Sequence, residues 1–380
     1  MSNDRFFSIF DLGSSKIRLG VFDDILPNSK ICHEIQNTYP SNEEIFLNDP
    51  NYQNIQSIIL KIEKTTNQHL KNSCLMFDND KSFSVDVSIK KKYDNIYIKE
   101  NLCENLTQEV KILVEKNYSK FKIIHILIDN YIIDGIIYDE IPQDKIVNEL
   151  IIGLKFILMP IKKIENIRNI LKKNQISISN IYNSSYIKTL DYLKNFNNFE
   201  IKVFIDIGFK KTTIILYQND KLIHFYNISI GGEHITKDIS KMLKIDFHES
   251  ENLKKKLKQS NLTLENNESN DLLIKVVHAR VEEIIDLSFK SINDISIINK
   301  KKSILIFTGE GSKILSKNSI YLNEYYNSFD EMNFFEENPE IISSAGFNYF
   351  KSEKKGEATI IAKTHKKRGF FEKLFYFVSK

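Results

Sequence analysis

Cysteine is scarce in this chain: Cys32, Cys74 and Cys103 stand far apart, with no C-x-x-C pair. An odd, unpatterned set provides neither a disulfide framework nor a zinc site, and it points to free thiols in a reducing compartment. Long apolar runs are missing too. The longest, LIIGLKFILMPI at Leu150–Ile161, is interrupted by Lys155 and stopped at Pro160. It is too short to cross a bilayer and reads as buried core. The opening MSNDRFFSIFD carries acids at Asp4 and Asp11 and no apolar stretch of signal-peptide length. Glycine (12) and proline (6) are few, and neither G-x-x-x-x-G-K-[ST] nor G-x-G-x-x-G occurs. The eight histidines form no motif, so no general base is identified. Excess charge is slight: the net value is +3, too mild to imply a nucleic-acid partner. The basic run LKKKLKQS is flanked by Glu249, Glu251, Glu265 and Glu268 without interleaved aromatics. It reads as a solvated helix face, and no nucleic acid is expected.

What is present is globular in character. With 380 residues, 42% hydrophobic and 27% charged, the chain can build two or more compact lobes. FFSIFDLGSSKIRLGVFDD (Phe6–Asp24) predicts strand, tight turn, strand, with Gly13 and the serines making the turn. KVFIDIGFKKTTIILYQNDKLIHF (Lys202–Phe225) repeats that plan, Asp206-Ile-Gly208 matching Asp11-Leu-Gly13, and a second turn at Asn219-Asp220 leads into a third strand. An echo separated by half the chain predicts two related lobes. ISIGGEHITKDISKML then reads as strand, Gly pair and a helix from about Glu233. KKSILIFTGEGSKIL (Lys301–Leu315) reads as a buried strand, a Gly turn and a helix start at Ser312, after a polar helical segment at 246–302.

Strand ends followed by turns of Gly and small hydroxyl residues can present backbone N–H groups to phosphate oxygens. At Gly13-Ser14-Ser15-Lys16 the small residues permit close approach, and Lys16 supplies positive charge. Asp11 and Asp206, facing each other across the lobes, would hold a hydrated Mg²⁺ on those phosphates. For either D-x-G alone, a plain hairpin turn is the simpler reading; three related turns favour a phosphate cleft.

These stretches resemble the motifs of the actin-like ATPase superfamily. DLGSSKIRLGVF is similar to its first phosphate motif, FIDIGFKKTTIIL to the second and LIFTGEGSKI to the adenosine motif. Within the superfamily the likeness over nearly the whole chain is to the FtsA family of bacterial cell-division proteins. IHILIDNYIIDG (Ile124–Gly135) resembles a strand of that family's inserted subdomain. NSSYIKTL (Asn183–Leu190), the Gly-Gly-x-x-x-Thr-x-Asp-Ile element in ISIGGEHITKDIS, SENLKKKL and HARVEEIIDL (His278–Leu287) resemble its other segments.

The resemblance implies an α/β, actin-like (duplicated ribonuclease-H-like) two-lobed fold with an inserted subdomain. The first lobe would comprise 1–89 and 162–198, the inserted subdomain 90–161, and the second lobe 199–245 and 303–350. Its small subdomain, 246–302, would carry the FtsZ-tail site. The resemblance also implies an ATP site. Asp11, Gly13, Ser14, Ser15 and Lys16 would come from the first motif, and Asp206, Gly208, Lys210, Thr212 and Thr213 from the second. Gly231 and Gly232 follow, Glu251 and Lys254 would lie near the ribose, and Gly309, Glu310, Gly311 and Ser312 at the adenosine, with Mg²⁺ on Asp11 and Asp206. Phe209, Lys210 and Lys211 stand where the family has flexible glycines, and Glu310 where a glycine is expected. A Phe cannot lie where backbone must touch phosphate unless the loop re-routes. Weakened nucleotide binding and at most slow hydrolysis are therefore expected.

The tail KKRGFFEKLFYFVSK (366–380) follows a stretch, 351–365, that reads as a linker. As a helix it would set Phe370, Phe371, Leu374, Phe375 and Val378 on one face, with Lys366, Lys367 and Arg368 at its base. Fifteen helical residues span only about 22 Å, so such a helix would lie in a membrane interface on anionic lipid. The alternative is a helix docked on its own domain. With the tail, the resemblance implies a scaffold that polymerises into actin-like protofilaments and holds FtsZ by its C-terminal tail at the cytoplasmic membrane face of the septum. It would also recruit later division proteins. A PilM-like adaptor and a sugar-kinase-type phosphotransferase remain the alternatives; a DnaK-type chaperone is disfavoured, because no substrate-binding domain follows the nucleotide fold.

Overall fold

The computed structural model describes residues 6–23, 30–36, 50–98, 100–142, 145–259, 268–292, 301–315 and 328–352. The linker from residue 353 and the tail at 366–380 lie outside the described residues. The first lobe begins with β1 (Phe6–Leu12), β2 (Lys16–Asp23), β3 (Lys30–Gln36), α1 (Pro50–Thr66) and β4 (Asn72–Phe77). An excursion follows: β5 (Phe83–Tyr97), α2 (Glu100–Asn117), β6 (Phe121–Ile133), β7 (Ile136–Tyr138) and β8 (Ile146–Pro160). α3 (Ile161–Lys173) and β9 (Ser177–Asn183) return to the first lobe, and α4 (Ser184–Tyr192) leads away from it. The second lobe holds β10 (Ile201–Ile207), β11 (Thr212–Gln218), β12 (Lys221–Ile228), α5 (Gly232–Leu243), α6 (Phe247–Gln259), α7 (Glu268–Lys290), β13 (Ser303–Thr308) and β14 (Glu331–Phe334). The last described helix, α8, is Pro339–Lys351.

The two lobes repeat one topology. Their sheets run β3-β2-β1-β4-β9 and β12-β11-β10-β13-β14. In each, the first strand pairs antiparallel with the second and parallel with the next central strand, β1 with β4 and β10 with β13. The central strands are mainly apolar because both faces are covered, as in parallel sheets: every residue of β10 and of β13 is buried. The turn at Asn219-Asp220 has positive φ at both residues, 48° and 63°. That matches a type I′ hairpin, whose twist suits the two strands it joins.

Between β4 and β9 the chain builds a separate antiparallel sheet, β5-β8-β6-β7. The apolar run at 150–161 falls largely in β8, its second strand, where Leu150, Ile152, Leu154, Phe156, Leu158 and Met159 are all buried. β5 starts this sheet at Phe83 and pairs with β8 from Phe83↔Leu158 onward, so a division at 90 falls inside a continuous strand. His125 of β6 ties the sheet to β9 and α8 of the first lobe. The Asn183 N–H donates to its Nε2 at 3.0 Å, and its Nδ1 lies 3.3 Å from the Tyr349 hydroxyl in α8.

α8 closes the first lobe by unusually near packing. A Cβ on Gly20 of β2 would lie 2.5 Å from the Ser343 Cβ, and one on Gly346 would lie 2.5 Å from the Met76 sulfur. Phe347 stacks on Phe22 at 4.3 Å between ring centroids, and Phe350 on Phe7 at 4.1 Å. Since Ser343 is fixed on a helix backbone, Gly20→Val must push α8 from the sheet. It is expected to cost about 1–3 kcal/mol in urea unfolding of the full chain. An unchanged midpoint would show that α8 is not held at this spacing.

Candidate functional site

The ends of β1 and β10, the turns after them and the N-terminus of α4 meet between the lobes. Each D-x-G turn closes by the same backbone bond: the Gly13 N–H donates to the Lys16 carbonyl at 3.0 Å, and the Gly208 N–H to that of Lys211 at 2.9 Å. The paired hydroxyls of α4 then join the two copies. Ser184 Oγ donates to Asp11 Oδ1 at 2.7 Å, and the Ser185 hydroxyl lies between Asp206 Oδ2 at 2.7 Å and Asp78 Oδ2 at 2.5 Å. The structure thus brings the two aspartates to adjacent residues.

Each carboxylate in this cluster lies against a cation. Asp11 is the cross-strand partner of Arg18, and Arg18 that of Glu34. The guanidinium accordingly reaches Asp11 at 2.8 Å through one nitrogen and Glu34 at 2.7 Å through another. Burial disfavours the charged guanidinium, but Asp11 and Glu34 more than offset this and hold it above its ordinary value. Lys188, on α4, reaches Asp206 at 3.1 Å and Glu337 at 3.0 Å. Lys211 reaches Asp78 at 3.3 Å, and the Ser185 N–H donates to that same carboxylate at 3.0 Å. Burial pushes the Asp206 carboxyl up, but Lys188 and Lys211 outweigh it and leave it below the usual carboxylate range. For Glu337 burial prevails over Lys188, so its carboxyl stays raised.

The second phosphate turn is packed inward. The Gly232 and Glu233 N–H groups at the start of α5, which a phosphate would otherwise use, donate to the Gly208 and Phe209 carbonyls at 3.0 and 2.7 Å. The Phe209 ring is buried against Phe247, 6.4 Å between centroids, with the Lys254 ammonium 5.4 Å away. Gly231 is needed for that packing, because its Cβ would stand 2.6 Å from the Gly208 carbonyl oxygen. Thr212 donates to the Ile230 carbonyl, and Thr213 to the Asn227 side chain. Lys210 is half-buried beside them. Glu251 and Lys254 lie against α5: Lys254 donates to the Gly232 carbonyl, to Thr236 and to Glu251 at 2.9, 2.7 and 2.6 Å.

At the third turn Gly309 has φ +84°, and a Cβ there would meet Asp206 Oδ1 at 2.4 Å. Beyond it the chain makes a short 3₁₀ turn, Glu310–Ile314, which starts two residues ahead of the helix expected from Ser312. Ser312 Oγ donates to the Gly309 carbonyl at 2.7 Å and tightens that turn. Gly311 packs on Ile207. Glu310 faces the first turn across the cleft, 3.3 Å from Lys16 and 2.7 Å from Lys313. Ser14 and Ser15 form the tip of the first turn, half-buried.

Asp11 and Asp206 do not fit a hydrated Mg²⁺ in this arrangement. Both Asp11 oxygens already accept, from Ser184 and from Arg18, and Asp206 Oδ2 takes Ser185 and Lys188, so Asp206 Oδ1 alone is left and the two carboxylates offer no open oxygen pair. Among the described residues no group of three or more His, Cys, Asp or Glu is set to hold a metal ion. Sequence reasoning did not single out Arg18, Asp78, Lys188 or Glu337. Arg18 had a signal: it sits as far after the Ser14-Ser15 turn as Asp11 sits before it, so a hairpin must oppose them.

Residues 203–324 match the family model of "Cell division protein FtsA". A stretch of 127 residues is 29% identical to the cell division protein FtsA of Bacillus subtilis (strain 168), and takes in 28% of this chain and 28% of that protein. Among solved structures, the PilM-PilN type IV pilus biogenesis complex superposes with a TM-score of 0.60 at 11% identity, covering 90% of this chain and 95% of the other. MreB 5 of Spiroplasma citri bound to AMPPNP superposes at 0.52 and 12% identity, covering 93% and 98%. The fold is thus that of the actin-like ATPases. The family match in the second lobe adds that, within this class, the chain is similar to FtsA, which supports an actin-like cell-division protein.

Lys188 tests the charge cluster. Lys188→Met leaves Asp206 and Glu337 without their shared cation, an expected loss of about 3–5 kcal/mol near neutral pH. The carboxyl pKa values then rise, so the folded variant takes up protons as pH falls. Its deficit in urea unfolding should shrink between about pH 8 and about pH 5. A deficit equal at both pH values, or none, would show that the pair does not depend on Lys188.

Proposed function

We propose that this protein is an actin-like cell-division scaffold that ties FtsZ filaments to the cytoplasmic membrane at the septum and recruits later division proteins. The observation that carries this reading is the FtsA match of residues 203–324 within a chain of duplicated actin-like topology. The basic, aromatic tail sequence supports the membrane end, with Lys367 and Arg368 on anionic headgroups and Phe370, Phe371, Leu374, Phe375 and Val378 in the interface. No helix among the described residues is long and apolar enough to cross a membrane. FtsZ would dock by its C-terminal tail on the subdomain around 246–302. Self-association into protofilaments belongs to the same reading.

An adenosine nucleotide would sit between the turns at Gly13, Gly208 and Gly309. The superposed MreB 5 is bound to AMPPNP, which supports the class of ligand. Lys16, Lys210 and the donors of Ser14, Ser15 and Ser312 would meet its phosphates once the Lys16–Glu310 pair opens. Direct contact between those two side chains, and the inward packing of Phe209, accord with weakened binding and slow or no hydrolysis. A PilM-like adaptor is the second reading, favoured by the superposition on the PilM-PilN complex. A phosphotransferase needs a free acid aimed at a substrate hydroxyl, whereas Asp11, Asp78 and Asp206 each face a cation.

Two measurements on the full chain separate these readings. It should float with anionic liposomes and lose that property in Phe371→Glu without a change in melting temperature. A labelled FtsZ C-terminal peptide should bind it in solution. Retention on liposomes by the variant rules out the tail as the anchor, and failure to bind the peptide removes FtsZ in favour of the adaptor.

A further inference from the structure

We propose that the cleft is built to work without a divalent cation: Arg18, Lys188 and Lys211 are resident counter-ions for the three aspartates that meet at Ser184 and Ser185. The nucleotide part of the inference rests on the ATP reading above; the metal part stands by itself.

The geometry assigns one cation to each acid. Arg18 lies 2.8 Å from Asp11, Lys188 lies 3.1 Å from Asp206 and Lys211 lies 3.3 Å from Asp78. These are buried or nearly buried groups: the Arg18 and Lys188 side chains are each 10% exposed and that of Lys211 is 12%. In such a site a charge is retained only when it is paired and hydrogen-bonded. Mg²⁺ demands near-octahedral oxygen ligation and gives up its waters reluctantly. To bind here it would have to displace a cation that each carboxylate already holds and then sit beside three positive groups at short range. Asp78 Oδ1, a buried oxygen with no hydrogen-bond partner, is a single oxygen and does not by itself make a ligand set.

The cations come from different sources, which argues against an accident of one loop. Arg18 is delivered by strand register, Lys188 by the second turn of α4, and Lys211 by the turn after β10. Lys188 is also shared with Glu337, and Arg18 with Glu34, so each is held from two sides. A triphosphate entering the cleft would then meet Lys16 and Lys210 at the turns, with no metal ion on the aspartates behind them.

The test uses the full chain and two titrations. In the first, Mn²⁺ is added and followed by water-proton relaxation; no cleft site with a dissociation constant at or below about 1 mM is expected. Mn²⁺ bound equally by the wild type, Asp206→Asn and Asp78→Asn lies elsewhere and supports the proposal. A site lost in either variant overturns it. In the second, ATP binding is measured by thermal shift and calorimetry in EDTA and in Mg²⁺. Affinities within about threefold of one another support the proposal, and tighter binding by more than that in Mg²⁺ overturns it. If ATP binds in neither medium, the nucleotide reading fails, and the Mn²⁺ titration alone decides whether the cleft holds a metal.

Discussion

Two consecutive serines join the equivalent strand ends of the molecule's two halves. Ser184 donates to Asp11 of the first sheet and the Ser185 hydroxyl lies against Asp206 of the second, so the equivalent ends of the repeated strands are fixed to one turn of helix. Everything at the cleft follows from this junction. Because α4 starts there, its second turn sets Lys188 between Asp206 and Glu337. The loop ahead of α8 is thereby drawn to the same point, and α8 then packs back on β1 and β2. One short helix thus couples the charge cluster to the core of the first lobe. Buried ion pairs of this kind add little net stability compared with apolar packing, but they penalise any arrangement that separates them.

The duplication is regular in backbone and irregular in chemistry. Both turns close with the same Gly-to-Lys backbone bond, and both aspartates sit at the same register. Yet the strand residue opposite Asp11 is Arg18, whereas the one opposite Asp206 is Thr213. The second lobe therefore draws its positive charge from α4 and from Lys211 in its own turn, and not from the strand position opposite the aspartate. That asymmetry is also visible in the turns: the first stays at the surface with Ser14 and Ser15, while the second buries Phe209 and spends its carbonyls on α5.

Local features were the readable ones. The two D-x-G turns, the Asn219-Asp220 hairpin and the continuous apolar strands rest on neighbours in sequence, where turn chemistry and period speak directly. The repeat could be read because both copies keep those local signals. Lys188 and Glu337 could not be read, since they meet only when α4 and the stretch before α8 arrive from opposite ends of the chain. Gly231 and Gly309 resemble phosphate-loop glycines in sequence. Their positions follow equally from loops packed so closely that a methyl group would strike the Gly208 carbonyl or Asp206. Glycine alone cannot distinguish a ligand's approach from a neighbouring loop's. The start of the inserted sheet was hidden for a related reason: β5 continues unbroken from Phe83, with no turn residue to mark a change of subdomain.

The excursion between β4 and β9 also sets an order of assembly. β4 pairs with β9 from Asn72↔Ser177, with one register shift after Ser73, and Ser177 Oγ donates to a partner 105 positions earlier. On a growing chain the edge of β4 has no mate until the whole antiparallel sheet has left the ribosome. That sheet has its own hairpin and its own core, so it can form while the first lobe waits. The insertion thus acts as a timer on the first lobe, which closes only after the inserted unit has been made.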